Sequence, residues 1–115
     1  MFGRPIGQNQ GIQFPLARSA AELDSAELLC RKAAWLYDQG LECSREANMA
    51  KLLAAEAGFA AADRAMQTHG GMGYAREYHV ERYFREARLM KIAPISQEMA
   101  LSHIAHNELG LPKSY

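Results

Sequence analysis

The sequence predicts an all-α domain, an antiparallel up-and-down four-helix bundle. Three observations carry this. Apolar residues recur at helical spacing along most of the chain, and no stretch keeps the strict alternation of a half-buried strand. Glycine or proline punctuates the chain at Gly40, Gly70-Gly71, Pro94 and Gly110, leaving four segments with short connections. Residues 1–115 are read as a single unit, long enough to bury on the order of two-thirds of its extended-chain surface.

The first helix is expected to begin near Gln10 or to bend at Pro15, because a missing amide is cheap in the first turn and costly further in. From Ile12, the positions Leu16, Ser19, Leu23, Ala26, Cys30, Ala33 and Tyr37 step alternately by four and three, which keeps one seam facing a partner. Leu29 and Leu36 widen that seam, and Trp35 lies beside it. Arg18, Glu22, Asp24, Arg31, Lys32 and Asp38 make the polar face. The second helix should run from Ser44, read as its N-cap, to His69. Met49, Leu52, Phe59, Ala62 and Met66 form its apolar stripe, and its many alanines give high helix propensity and let neighbours come close.

The third helix, Val80 to Ile92, carries Glu81, Arg82, Arg85, Glu86, Arg88 and Lys91, with Tyr83, Phe84, Ala87, Leu89 and Met90 as apolar contacts. Pro94 ends it. The fourth runs from about Ser96 to Glu108 on Met99, Leu101, Ile104, Ala105 and Leu109. Two long helices of roughly 40 Å beside two short ones make an uneven bundle, so self-association is expected.

Thirteen acidic residues balance thirteen basic ones, which removes the electrostatic reason to bind nucleic acid. No apolar run approaches the roughly 20 residues of a membrane span, and the N-terminus lacks a signal-peptide layout. Cys30 and Cys43 lack CxxC spacing and read as free thiols of a reducing, cytoplasmic compartment. His103 and His106 read as a solvated pair, since no further ligand stands at fitting spacing, so no metal site is assigned. The methionines read as core filler, and no Ser-His-Asp or Cys-His set is proposed by spacing.

The most informative stretch is Gln67-Thr68-His69-Gly70-Gly71-Met72-Gly73-Tyr74. Its glycines suit a helix stop, and equally the close approach of a bulky ligand to backbone amides. His69 stands beside them, or serves as a helix-end imidazole. A helix C-terminus is the wrong end for an anion, so a phosphate here needs loop N–H groups, the Gln67 amide and a cation from elsewhere. The polar, glycine-rich segment Phe2 to Gln10 is the second surface of this kind.

Phe2-Gly3-Arg4-Pro5-Ile6 with Gln10, Ala50-Lys51, the Gln67–Tyr74 stretch, Val80-Glu81-Arg82 and Arg85-Glu86-Ala87-Arg88 follow one another with the spacing of a known family. The chain resembles the C-terminal domain of the flavin-dependent acyl-CoA dehydrogenases over nearly its whole length. Leu109 to Tyr115 is also similar to a bacterial-type family ending. The resemblance implies the last third of a chain about three times longer, preceded by a helical domain and a β-domain. It implies FAD held between subunits of a homodimer or homotetramer, with the ADP end on this domain of the neighbour.

Carried over by motif, the cofactor-binding residues are Gln67, Thr68, His69, Gly70 and Gly71, with Asn9, Gln10 and Phe2 from the N-terminal segment. The family's phosphate-binding arginine would stand before Phe2. The parent reaction is α,β-dehydrogenation of an acyl-CoA thioester, with electrons passing on to an electron-transfer flavoprotein. The family's Glu-Gly-Thr, whose glutamate removes the α-proton, is replaced here by Pro94-Ile95-Ser96. Proline accepts no proton, so no catalytic residue is assigned. Glu98 is the substitute candidate, and Ser96, Gln97 and Glu98 remain candidates for a flavin contact. The 115-residue chain alone is expected to lack dehydrogenase activity. The alternative reading is a non-catalytic helical oligomerisation module.

Overall fold

A computed structural model of the chain describes residues 3–114. A short 3-10 turn, Ile6–Gln8, leads into α1 (Gln10–Asp38) and then α2 (Ser44–His69). Two further 3-10 turns, Gly70–Tyr74 and Arg76–Tyr78, precede α3 (Val80–Met90). The chain closes with α4 (Gln97–His103), which runs on as one π-helical stretch, Ile104–Glu108. The described residues form four α-helices and no strand, as the periodicity predicts.

α2 is the spine. α1, α3 and α4 each pack on it, and none of these three packs on another. The side-chain bridges show the directions. Lys32 pairs with Glu46 at 2.8 Å and Arg64 with Glu22 at 2.6 Å, so α1 runs antiparallel to α2. The rings of Phe59 and Phe84 lie 5.1 Å apart and the Lys51 ammonium reaches the Met90 carbonyl, which makes α3 antiparallel to α2 as well. Gln97 donates to Glu56 and Arg45 pairs with Glu108, so α4 keeps the direction of α3. α3 and α4 therefore run the same way along one spine, and their contacts with it overlap around Lys51 and Glu56.

α1 starts at Gln10 with Pro15 inside it, the first of the two expected alternatives. The seam against α2 differs from expectation at every second step. Its less exposed positions are Ile12, Pro15, Ser19, Glu22, Ala26, Leu29, Ala33 and Leu36. Leu16, Leu23, Cys30 and Tyr37 are exposed. Glu22 therefore belongs to the contact face, not to the polar one. The reason is across the interface: Arg64 donates to both Glu22 and the buried Ser19, and this paired charge occupies the place a leucine seam would take.

The α2 stripe is as expected, with Met49, Leu52, Phe59, Ala62 and Met66 all half-buried. Ala50, Ala55 and Ala57 are buried because α2 meets helices on two sides. Ser44 is not the N-cap. Cys43 holds that position, and the Glu42 carboxylate accepts from both the Ser44 N–H and its hydroxyl. A carboxylate at the positive end of the helix is a stronger acceptor than a hydroxyl. Tyr83, Leu89 and Met90 of α3 and Met99, Leu101 and Leu109 near α4 point outward, contrary to expectation. The contact face of α3 is instead Val80, Phe84, Ala87 and the following Lys91.

Large side chains find little shelter in this arrangement. The buried apolar residues are five alanines and Val80, and no large side chain among the described residues is fully enclosed. The radius of gyration is 17.5 Å, against about 13 Å for a compact chain of this length. The accessible surface of 8352 Å² exceeds the roughly 6,300 Å² expected for a monomer of this mass. Among the described residues, no helix is long and apolar enough to cross a membrane.

Candidate functional site

The hairpin loop Gln39–Cys43 closes one end of the α1–α2 pair, so the start of α1 and the end of α2 share the other end. This open end holds two of the three groups of candidate residues. Gln67 is exposed on the last turn of α2. Thr68 donates its hydroxyl to the Arg64 carbonyl at 2.7 Å, and His69 Nδ1 lies 2.8 Å from the Ala65 carbonyl oxygen. The His69 ring also meets Tyr78 edge-on at 6.2 Å. Both side chains thus bond back to carbonyls one turn earlier and hold the last turn of α2 in shape.

The three glycines do three different things. Gly70 caps α2 at φ 59° and ψ −141°, a conformation that side chains rarely adopt. Gly73 is packed so closely that an added Cβ would stand 2.7 Å from the Met66 carbonyl oxygen. Gly71 carries neither constraint, with no left-handed φ and nothing within 4 Å of an added Cβ. Of the five cofactor candidates in the motif, Gln67 and Gly71 are the ones exposed without a structural task in the fold.

Asn9 is the backbone N-cap of α1, and its side chain is engaged in the fold. It accepts from Arg4 at 2.7 Å and donates to the Ile6 carbonyl at 3.0 Å. Gln10 is exposed. Phe2 lies outside the described residues. The turn Ile6–Gln8 packs on α1 and on no other element, so within one chain it does not meet the glycine corner.

The third group stands apart. Gln97 is buried and donates to Glu56, about 16 Å down the axis of α2 from Gln67. Ser96 is the N-cap of α4, accepting from the Met99 N–H at 3.2 Å. Glu98 is exposed on the first turn of α4. Pro94 follows Ala93 through a cis peptide and carries no acid–base group. Lys51 reaches the carbonyls of Met90 and Ala93, covering the negative end of α3 just before it.

His103 lies against the Asn107 amide, and His106 sits between the Ser102 hydroxyl and the Leu111 carbonyl. Among the described residues, no group of three His, Cys, Asp or Glu side chains is placed to hold a metal. The shifted carboxyls are structural. Hydrogen bonds from Arg64 hold Glu22 below its ordinary value, Lys32 does the same for Glu46, and Arg85 for Glu81.

One feature had no clear signal in the sequence. An open groove of about 1170 Å³ runs between α1 and α2, lined by Phe14, Ala17, Ala21, Leu53, Ala57 and Ala60 among others. The exposed Phe14 and Leu53 were the only hint, and a helical wheel does not say which apolar residues a second helix leaves uncovered.

The sequence profile of the family described as "Acyl-CoA dehydrogenase, C-terminal domain" matches residues 1–109. The acyl-CoA dehydrogenase FadE12 of Mycobacterium tuberculosis is 47% identical over the whole of this chain, which covers 30% of that protein. The mitochondrial short-chain specific acyl-CoA dehydrogenase of Bos taurus is 44% identical over 99% of this chain and 27% of its own. A solved glutaryl-coenzyme A dehydrogenase in complex with glutaryl-CoA superposes with a TM-score of 0.91 at 36% identity, covering 99% of this chain and 29% of that one. The chain spans a little under a third of the relatives it matches. By sequence and by shape, it belongs to the acyl-CoA dehydrogenase family and corresponds to that family's C-terminal helical domain.

Proposed function

We propose that this chain serves as the C-terminal domain of an FAD-dependent acyl-CoA dehydrogenase. Its part is to hold the ADP end of FAD and to join subunits into a homodimer or homotetramer. The reaction of the assembled enzyme is α,β-dehydrogenation of an acyl-CoA thioester in the cytoplasm, with an electron-transfer flavoprotein as the next acceptor. The carrying observation is the family match over residues 1–109, joined to an outward-facing amide and an unobstructed backbone at Gln67 and Gly71.

The donor set there fits a nucleotide. It offers an amide, an imidazole and bare backbone, and no carboxylate stands in the stretch Gln67 to Gly71. Acceptance of the β-hydrogen as hydride is the chemistry that FAD supplies when bound. Gln67 then fixes a polar edge by hydrogen bonding, while Thr68 and His69 hold the last turn of α2 in shape. Asn9 orders the start of α1, leaving Gln10 free to contact the ligand. Removal of the α-proton falls to a carboxylate elsewhere in the assembled enzyme, because Pro94 has none to offer and Glu98 stands about one turn beyond that position. The buried Gln97 is committed to Glu56 and the Ser96 hydroxyl to the Met99 N–H, which leaves Glu98 as the member of that group free to approach the flavin.

Nucleotide titration of the purified chain tests this, comparing FAD, ADP and riboflavin by fluorescence and calorimetry. FAD and ADP are expected to compete for one site, and riboflavin to leave it empty. Gly71→Asp adds a charge without a steric clash and should weaken FAD by at least about tenfold through repulsion of the phosphates. Equal binding of FAD by wild type and Gly71→Asp, or binding of riboflavin without ADP, would reject the site.

A further inference from the structure

The chain between α3 and α4 leaves the spine and returns to it as a short arch. The Gln97 N–H donates to the Lys91 carbonyl at 3.2 Å, so residues 91–97 form a loop closed at its base. Both feet of this loop stand on α2. At the first, the Lys51 ammonium donates to the carbonyls of Met90 and Ala93, and the Lys91 ammonium lies 5.2 Å from the centre of the Phe59 ring. At the second, the buried Gln97 donates its amide to the Glu56 carboxylate at 3.1 Å. Lys51 and Glu56 are separated by about 7.5 Å along α2 and roughly 140° around it. The arch therefore straddles the spine, with Pro94 and Ile95 exposed at its crown.

We propose that Lys51 is a positioning residue, which through the Met90 and Ala93 carbonyls sets where this arch meets the flavin end of FAD. The inference rests on the reading of the chain as an FAD-holding domain. It goes beyond that reading by naming a residue on the spine that no cofactor atom need touch. The arch carries Pro94, Ile95 and Ser96 in the place of the family's Glu-Gly-Thr, and it leads directly to the exposed Glu98.

Three observations set Lys51 apart from an ordinary surface lysine. It is half-buried, where most lysines are exposed. Both of its hydrogen bonds go to backbone carbonyls, 39 and 42 positions along the chain. Those carbonyls belong to different units, since Met90 ends α3 and Ala93 lies in the arch. One ammonium thus ties a helix end to the loop that follows it, through charge-assisted bonds stronger than neutral ones. Water can replace the ammonium beside the exposed Met90, so its removal frees the arch without unfolding α3. The effect falls on position more than on stability. A flavin ring held against a loose loop loses part of its contact energy to the ordering of that loop.

Two measurements on the purified chain decide it, with Lys51→Met and Lys51→Arg set beside wild type. Hydrogen exchange reads the arch through the bonded amides of Ile92, Ala93 and Gln97. These are expected to exchange about tenfold faster in Lys51→Met, with α1 unchanged. Paired titrations with FAD and ADP read the cofactor. Wild type should bind FAD on the order of tenfold tighter than ADP, the surplus coming from the flavin end. Lys51→Met should bring the two within about twofold by weakening FAD alone. Lys51→Arg keeps the charge and should retain both the protection and the surplus. Glu56→Ala releases the other foot and should lower the same ratio.

Unchanged exchange in Lys51→Met overturns the inference. So does a faster arch with the FAD-to-ADP ratio intact, the signature of a merely structural lysine. Equal loss of FAD and ADP, or an arginine variant that behaves like methionine, overturns it too. ADP bound by wild type with no gain for FAD rejects this inference and leaves the ADP site standing. No nucleotide bound at all rejects both.

Discussion

Gly73 and Gly71 are two residues apart and face opposite physical demands. At Gly73 a methyl group would collide with the backbone oxygen of Met66, which cannot swing aside. Gly73→Ala should therefore cost about 1–3 kcal/mol through overpacking, while Gly71→Ala should leave the urea midpoint unchanged. Equal midpoints for the two variants would contradict the packing described. Glu22 makes the other residue-scale prediction. Arg64 holds its carboxyl below the ordinary value of 4.5. The stabilisation is fully present above that value and is lost as pH falls through the lower folded one. Glu22→Gln should thus lower the thermal midpoint at neutral pH and flatten its fall as pH drops below 4.5. Glu42, Glu46 and Glu81, each lowered by hydrogen bonds, supply the slope that remains. A variant with an unchanged profile would count against the pair.

At the scale of elements, helix starts and stops were legible wherever the local chemistry is self-contained. Ser96 is such a case: its hydroxyl takes the Met99 N–H, and α4 begins where the serine was expected to place it. Ser96→Ala should cost about 1 kcal/mol by denaturant unfolding. No loss would mean that α4 is held by packing alone. Ser44 looked equivalent and was not, because its hydroxyl donates to Glu42 and its own N–H bonds the same carboxylate, leaving Cys43 in the cap position. The contact face of α1 was half legible. Every second position was correct, Leu29 and Leu36 were expected as its widened part, and Glu22 stands in the place of Leu23 because Arg64, on another helix, pairs with it. No periodicity along α1 contains that information. The candidate site divides similarly. The end of α2 and its glycines were evident from residue type, whereas the commitment of Asn9 and Gln97 to internal bonds was not.

The whole molecule is a spine with helices along two of its sides, extending 56 × 29 × 24 Å. Buried alanines stand where a self-sufficient domain of this size would place leucine and phenylalanine, so the fold's stability depends on what covers the outer faces. Association of folded chains stabilises them by mass action. The thermal midpoint should therefore rise as protein concentration is raised across two decades, and a flat response would contradict an oligomerising domain. The amino-acid sequence by itself determined the helical class, the four segments, their punctuation and the family, because these follow from spacing and residue type along one strand of chain. The tertiary structure decided which face of each helix is spent inside, which polar groups pair across helices, and that α4 follows α3 along one spine. Those outcomes depend on distances between residues on different helices, far apart along the chain, which a linear pattern does not encode.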